Sequence, residues 1–451
     1  MSTADQPIVN VVPNALSRYS AAVQAVARRL AAARTVQPVV PLEPDWTVAD
    51  FGEFTNVTDI GLAQVASRTY LLDLMRNPGT RTTKTVASIL MVARAVSHIR
   101  RTGERLILLT PTSGNKGTAL RDAVARAYAT GLATPDVLRI LTVVPEASLN
   151  KLRDGPLSAD PALRAANPLA LARVERPADV KHLGLAMVEG YADELLAATG
   201  FRLWYTLDLD NYRAADAVRA FVEADLLPIT ENSGPRIHLH AVSSAYGLLG
   251  YHVGHQLLAD GFAGFPVPTR HPGFFLVQQL STADMVTSLL GVGLPAYAQD
   301  PATGVWRQGD APEFPAETDD PQETIDSTFY TKAPPTSAAV NEIVARCGGG
   351  GVVVSRLECL ARYDAIRGIA AHAGVDIPAD PSLIREWSLV MALTGLLVAR
   401  ERELVPADTD VVVHASGYYS DEMIKPVRGD HLCRVNGADD LAKLLFTAAG
   451  Q

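Results

Sequence analysis

The chain has 451 residues, 48% of them hydrophobic and 20% charged, with a formal net charge of −9. That length exceeds one simple core and implies a globular protein of at least two domains. The acidic balance, the lack of any dense lysine/arginine block and apolar runs shorter than a membrane span leave no nucleic-acid or membrane partner to expect.

Residues 15–34 read as an alanine- and arginine-rich amphipathic helix packed on the main body rather than a transit segment. No apolar leader opens the sequence, so cytoplasm is the expected location. From residue 86 the pattern alternates: a helix over 86–99, a strand over 106–109, a small-residue turn over 111–117, a helix over 118–130 and a strand over 138–144. This is the rhythm of a mostly parallel, doubly wound sheet, so the fold class is α/β. A second series starts after about residue 205. It has a strand over 237–242, a hydroxyl- and glycine-bearing turn over 243–250 and a strand over 274–278. Residues 299–336, rich in proline and acidic groups, read as a surface insertion. A strand over 352–355, a helix over 388–402, a strand over 411–414 and the turn Ser416-Gly417 complete the series.

Of 40 basic residues only 7 are lysine. A surface charge in such a chain is normally arginine, whereas chemistry on a carbonyl needs an amine that can lose its proton. Lys84, at the mouth of a helical pattern, is therefore a candidate Schiff-base lysine. The turn Thr112, Ser113, Gly114, Asn115, Lys116, Gly117 leads a strand into a helix, where backbone N–H groups meet the positive end of the helix dipole and can seat a carboxylate or phosphate. It is neither a Walker A loop nor a Gly-x-Gly-x-x-Gly turn. Ser243, Ser244, Ala245, Tyr246 and Gly247 form a second turn with the same logic. Both turns follow strands, at the end where open α/β sheets bind ligands. His238 and His240 share one face of a strand and His252 and His255 follow on a helix; with no supporting carboxylate spacing they read as structural. Cys347, Cys359 and Cys433 are too few and too scattered for disulfides or zinc, so no metal is expected. Arg81 and Arg213 fit an anion contact or a packing role equally well.

With these motifs in order, the chain resembles fold-type II (tryptophan synthase beta-like) pyridoxal-phosphate (PLP) enzymes, most closely threonine synthase. Asn77-Pro78-Gly79-Thr80-Arg81-Thr82-Thr83-Lys84 resembles the family's Asn-Pro-Thr-Gly-Ser-Phe-Lys-Asp segment, and the resemblance implies that Lys84 carries the cofactor as a Schiff base. Thr112 to Gly117 is similar to the Ser-Thr-Gly-Asn-Thr-Gly loop, which implies substrate-carboxylate binding there and Asn115 beside the cofactor. Val144-Pro145-Glu146 and Asp210-Asn211-Tyr212-Arg213 resemble the next strand end and the Asn-Pro-Tyr-Arg segment. Ser243 to Gly250 stands where the family has its phosphate loop, Glu386-Trp387-Ser388 and Ala392 to Leu397 resemble its Glu-Pro-Ala-Ser segment, and Val411 to Gly417 its strand ending in Thr-Gly, which places Ser416 at the pyridine nitrogen. Three segments depart from that pattern: Thr85 follows the lysine in place of aspartate, the phosphate loop has fewer glycines and carries Tyr246, and Tyr418-Tyr419 replace the smaller groups that follow the last turn.

The resemblance implies two doubly wound, mostly parallel domains with the cofactor site in the cleft between them: an N-terminal extension over 1–45, a large phosphate-binding domain over 46–80 and 206–451, and a small substrate-carboxylate domain over 81–205. It implies a PLP-dependent lyase or transferase, homodimeric, acting by β- or γ-elimination or replacement on a small amino acid with an activated side-chain oxygen. Cysteine-synthase-like replacement on an O-acyl- or O-phosphoserine and a non-catalytic ligand-binding homologue are the alternatives.

Overall fold

The structure is a computed structural model and describes residues 9–48 and 51–450. The chain forms two compact units. The first holds the described residues up to Val12, Asp59–Arg76 and Arg219–Ser420; the second holds Pro13–Thr58, Asn77–Val218 and the stretch from Asp421.

The first unit is built on a seven-stranded sheet in the spatial order Val9–Val12, Ile60–Ala66, Thr69–Asp73, Asp410–Ala415, Arg236–Ala241, Gly273–Gln279, Gly349–Val354. The first two pairings are antiparallel and the others parallel. Val411, Val412 and Val413, like Val352, Val353 and Val354, are all buried. Such continuous β-branched runs mark strands covered on both faces. Helix Ser388–Glu401 supplies one cover and is buried along nearly its whole length. In the 299–336 region, Ala298–Gln299, Trp306–Arg307 and Glu317–Thr318 pair as a small antiparallel sheet, so the segment read as a surface loop carries its own ladder.

The second unit has a five-stranded, all-parallel sheet in the order Cys433–Val435, Leu169–Ala172, Leu138–Pro145, Arg105–Pro111, Phe201–Tyr205. Helices Val180–Thr199 and Ala438–Gly450 lay Met187, Leu195, Leu441 and Leu445 on Ile107, Leu109, Leu141 and Val143. Each such buried aliphatic side chain contributes about 1.5–3 kcal/mol by leaving water. The sequence had assigned 206–451 to the other domain, yet the last strand and helix complete this sheet. The N-terminal helix is broken at Tyr19 into Ala15–Arg18 and Ser20–Ala32.

Candidate functional site

In each unit the strand order reverses at one point, and that is where loops at the carboxyl ends of two adjacent parallel strands diverge and leave a crevice. In the second unit the reversal lies between Arg105–Pro111 and Phe201–Tyr205. The loops that leave these strands carry Thr112 to Gly117 and Asp208 to Tyr212. In the first unit it lies between Arg236–Ala241 and Asp410–Ala415, whose following residues are Ser243 to Gly247 and Ser416. Every sequence-predicted site residue except Lys84 is thus beside a reversal point of its own unit, and Lys84 is coupled to the second.

Lys84 is the first residue of helix Lys84–Thr102. The turn before it is tied down: Gly79 N and Arg81 N bond to Asn77 at 2.9 and 2.8 Å, Asn77 Nδ2 donates to Asp122 at 3.0 Å, and the Thr80 and Thr85 hydroxyls meet at 2.6 Å. Thr85, standing where the resembled family has aspartate, closes this turn. Arg81 takes a left-handed φ of 47° within it. Lys84 Nζ lies 5.6 Å from the centre of the Tyr212 ring, in cation–π range.

The helix expected over 118–130 begins earlier, at Asn115. Thr112 Oγ1 accepts from both Gly114 N and Gly117 N at 3.1 Å and winds the turn tight. Those two N–H groups therefore point inward, not at a ligand. Gly114 has φ 122°, and a Cβ there would sit 2.6 Å from Lys151 Cβ, so only glycine fits. Lys116 is the second residue of the helix, where side chains lean back toward the N-terminus. Its Nζ is buried and makes no hydrogen bond among the described residues. Burial first, then the charges of Lys84 and Lys181, bring it down to about 7, against a smaller opposing pull from Asp208. Burial also lowers Lys181. Four of the 7 lysines, Lys84, Lys116, Lys151 and Lys181, thus gather around one turn of an arginine-rich chain. Asp208 and Asp210 are each 2.6 Å from Arg34 Nη2, so the N-terminal segment braces the loop that faces the lysines. Arg213 is 3.4 Å from Asp210, which leaves it a packing role.

The first unit solves its reversal point differently. Ala245 caps helix Tyr246–Ala259 in the left-handed region, φ 51°, and Thr336 Oγ1 donates to Ser244 O at 2.7 Å. A Cβ on Gly247 would overlap the guanidinium of Arg219, which fills the space under this first helical turn. Arg219 Nη1 donates to His414 Nδ1 at 3.0 Å. His414 Nε2 is 2.7 Å from His238 Nδ1, and His238 Nε2 is 3.2 Å from Glu223 Oε1. Arginine can only donate and a carboxylate can only accept, so the two ends set the direction of the chain, with each imidazole giving its Nε2 hydrogen toward Glu223. Burial, then His238, His240 and Arg219, push His414 well below the usual histidine range, which keeps it neutral. Burial alone would raise Glu223, but His238, Arg236 at 2.9 Å and the Tyr251 hydroxyl hold it ionised. His240 packs beside His414, ring centres 5.1 Å apart. Of the four histidines read as structural, His238 belongs to this chain and His240 packs beside it, while His252 Nδ1 is 2.7 Å from His271 Nε2 and the His255 ring centre is 4.5 Å from that of His271. Ser416 follows strand Asp410–Ala415, its turn held by Leu389 N donating to Gly417 O at 3.0 Å.

Sequence reasoning passed over Arg219 and Glu223. Four residues apart on a helical pattern, they look like a solvent-exposed ion pair; both are fully buried. No group of three or more His, Cys, Asp or Glu side chains among the described residues is arranged to hold a metal, and no described helix is long and apolar enough to cross a membrane. Cys347, Cys359 and Cys433 are free thiols.

A family model described as "Family of unknown function (DUF6002)" matches residues 11–449. The chain belongs to that family. No curated protein sequence matches it. Among solved structures, PLP-bound threonine synthase from Brucella melitensis is similar at 14% identity and TM-score 0.55, covering 98% of this chain and 100% of that one. A PLP-dependent aspartate racemase is similar at 13% identity and TM-score 0.50, covering 90% and 97%. The DUF6002 chain therefore has the α/β fold of fold-type II PLP enzymes, as its motif order implied.

Proposed function

We propose that the protein is a PLP-dependent lyase or transferase that eliminates or replaces an activated oxygen substituent on the side chain of a small amino acid, in the manner of threonine synthase. The observation that carries this reading is Lys84: a single half-buried amine heading a helix, on a turn tied by Asn77, Thr80 and Thr85, within electrostatic reach of a second amine that burial holds near neutrality. The two similar structures, both of PLP enzymes, support the choice of cofactor.

The residues fit such a group. In the second unit Lys84 Nζ would supply the amine for its aldehyde and Asn115 would suit its ring hydroxyl; in the first unit the hydroxyls of Ser243 and Ser244 with the first N–H groups of helix Tyr246–Ala259 would suit its phosphate, and Ser416 its ring nitrogen. Bound PLP supplies an electron sink for the substrate's α-carbon. Lys84 Nζ would take and return the α-proton. A serine at the ring nitrogen favours its protonation less than a carboxylate would, which suits elimination or replacement rather than transamination. Ser113, Asn115 and the Lys116 amine hold the substrate's carboxylate, because Gly114 and Gly117 spend their N–H groups on Thr112.

The test is the visible spectrum of the protein supplied with PLP, wild type against Lys84→Ala. The expected result is a yellow band in the wild type that borohydride bleaches, with only the free aldehyde's absorption in Lys84→Ala. The absence of a band in the wild type at saturating PLP overturns the reading.

A further inference from the structure

The first unit has a cavity of about 350 Å³ at the edge of its sheet opposite Ser243 and Ser416. It opens at the amino ends of the strands, where Arg236, Gly349 and Thr409 begin or precede them. Its wall is apolar, with Ile237, Phe275, Leu404 and Val405, and its charged lining is two arginines, Arg236 and Arg270, with no carboxylate. Arg236 is 5% exposed and gives Nη1 to Glu223 at 2.9 Å and to Leu227 O at 2.7 Å, while its Nε–H has no hydrogen-bond partner among the described residues. Arg270 donates to a neutral acceptor, Ser233 O, at 2.5 Å. His271 adds no charge, because burial, with smaller contributions from His238 and Arg346, brings it down to about 4. Arg236 faces Glu223 and, at 3.9 Å, Asp410, which Arg68 also pairs at 3.1 Å, whereas Arg270 has no carboxylate partner among the described residues, so the cavity suits a ligand with a single negative charge and a hydrocarbon body. The volume is in the range of small-molecule sites.

We propose that this cavity binds a small aliphatic monocarboxylate, its carboxylate on Arg270 and the Arg236 Nε–H and its chain against Ile237, Phe275, Leu404 and Val405. The site is separate from the one assigned to PLP. It is nevertheless joined to the Gly247 turn, because Arg236 is bonded to the same Glu223 that ends the His238–His414–Arg219 chain.

The probe is hexanoate, with the isosteric uncharged hexanamide as control, titrated calorimetrically into the full chain. Saturable binding of hexanoate, at least tenfold weaker for hexanamide and for the exposed-site variant Arg270→Gln, is expected. Location is read from Cys347, which lines the cavity: hexanoate should slow its alkylation by iodoacetamide and leave Cys433, in the other unit, unchanged. Equal binding of the two probes, no binding, or hexanoate binding undiminished in Arg270→Gln with its far-UV dichroism intact overturns the proposal.

Discussion

The two strand-order reversals of this molecule are occupied by opposite kinds of chemistry. In the second unit the turn after Pro111 is ringed by lysines, and one of their amines is buried with no hydrogen bond among the described residues. In the first unit the turn after Ala241 rests on an arginine whose charge runs through two oriented imidazoles to a carboxylate. An amine without a partner can gain or lose a proton. The hydrogen-bonded chain, with donors and acceptors paired end to end, holds its turn rigid. The same topological position thus gives a titrating surface in one unit and a fixed one in the other.

That contrast can be broken in four places beyond Lys84. Removing the carboxylate that anchors the rigid side, Glu223→Ala, leaves the buried Arg236 and His238 without that carboxylate and should cost about 3–5 kcal/mol in denaturant unfolding, whereas Glu223→Gln, which keeps an acceptor, should cost less. On the titrating side, Lys116→Met should stabilise the protein at pH 7 by about 2–4 kcal/mol, since a desolvated amine is lost. The sign follows from the unfolded lysine binding its proton up to about 10.5 while the folded one releases it near 7. The penalty is complete below pH 7 and fades between 7 and 10.5, so the advantage of Lys116→Met should shrink toward zero as unfolding is measured at rising pH. A constant difference across that window would mean that Lys116 is not desolvated. Gly247→Ala puts a methyl group onto the Arg219 guanidinium and should cost about 1–3 kcal/mol, with the chemical shifts of His414 moving as well. Ala245→Gly relieves a left-handed alanine and should raise stability by about 0.5–1 kcal/mol.

Much of this was legible in the sequence. Lys84 stood out because lysine is scarce here, and the turns at Ser113 and Ser243 because small polar residues separate an apolar strand from a helical period. Periodicity placed each strand of the two large sheets that it named within a few residues. It misjudged the start of helix Asn115–Ala129 because Thr112 Oγ1, a side chain outside the helix, satisfies two N–H groups and lets the helix begin early. Arg219 and Glu223 were invisible for a different reason: the spacing of a buried relay and of a surface ion pair is the same, and only the tertiary placement of His414 and His238, nearly two hundred residues further on for the first of them, tells them apart. The bracing of Asp208 and Asp210 by Arg34 is likewise a long-range contact that local pattern does not encode.

Strand Cys433–Val435 closes the edge of a sheet whose other members lie between residues 105 and 205. During synthesis those four strands leave the ribosome more than two hundred residues before their last neighbour. Throughout that interval Leu169–Ala172 is an open edge, and helix Val180–Thr199 lacks the Leu441 and Leu445 that will cover it. The first unit, complete at Ser420, can finish folding while the second still waits. A released chain that ends just before residue 433 would therefore present one finished sheet and one with an unpaired margin, and chaperone capture or proteolysis should fall on the second unit.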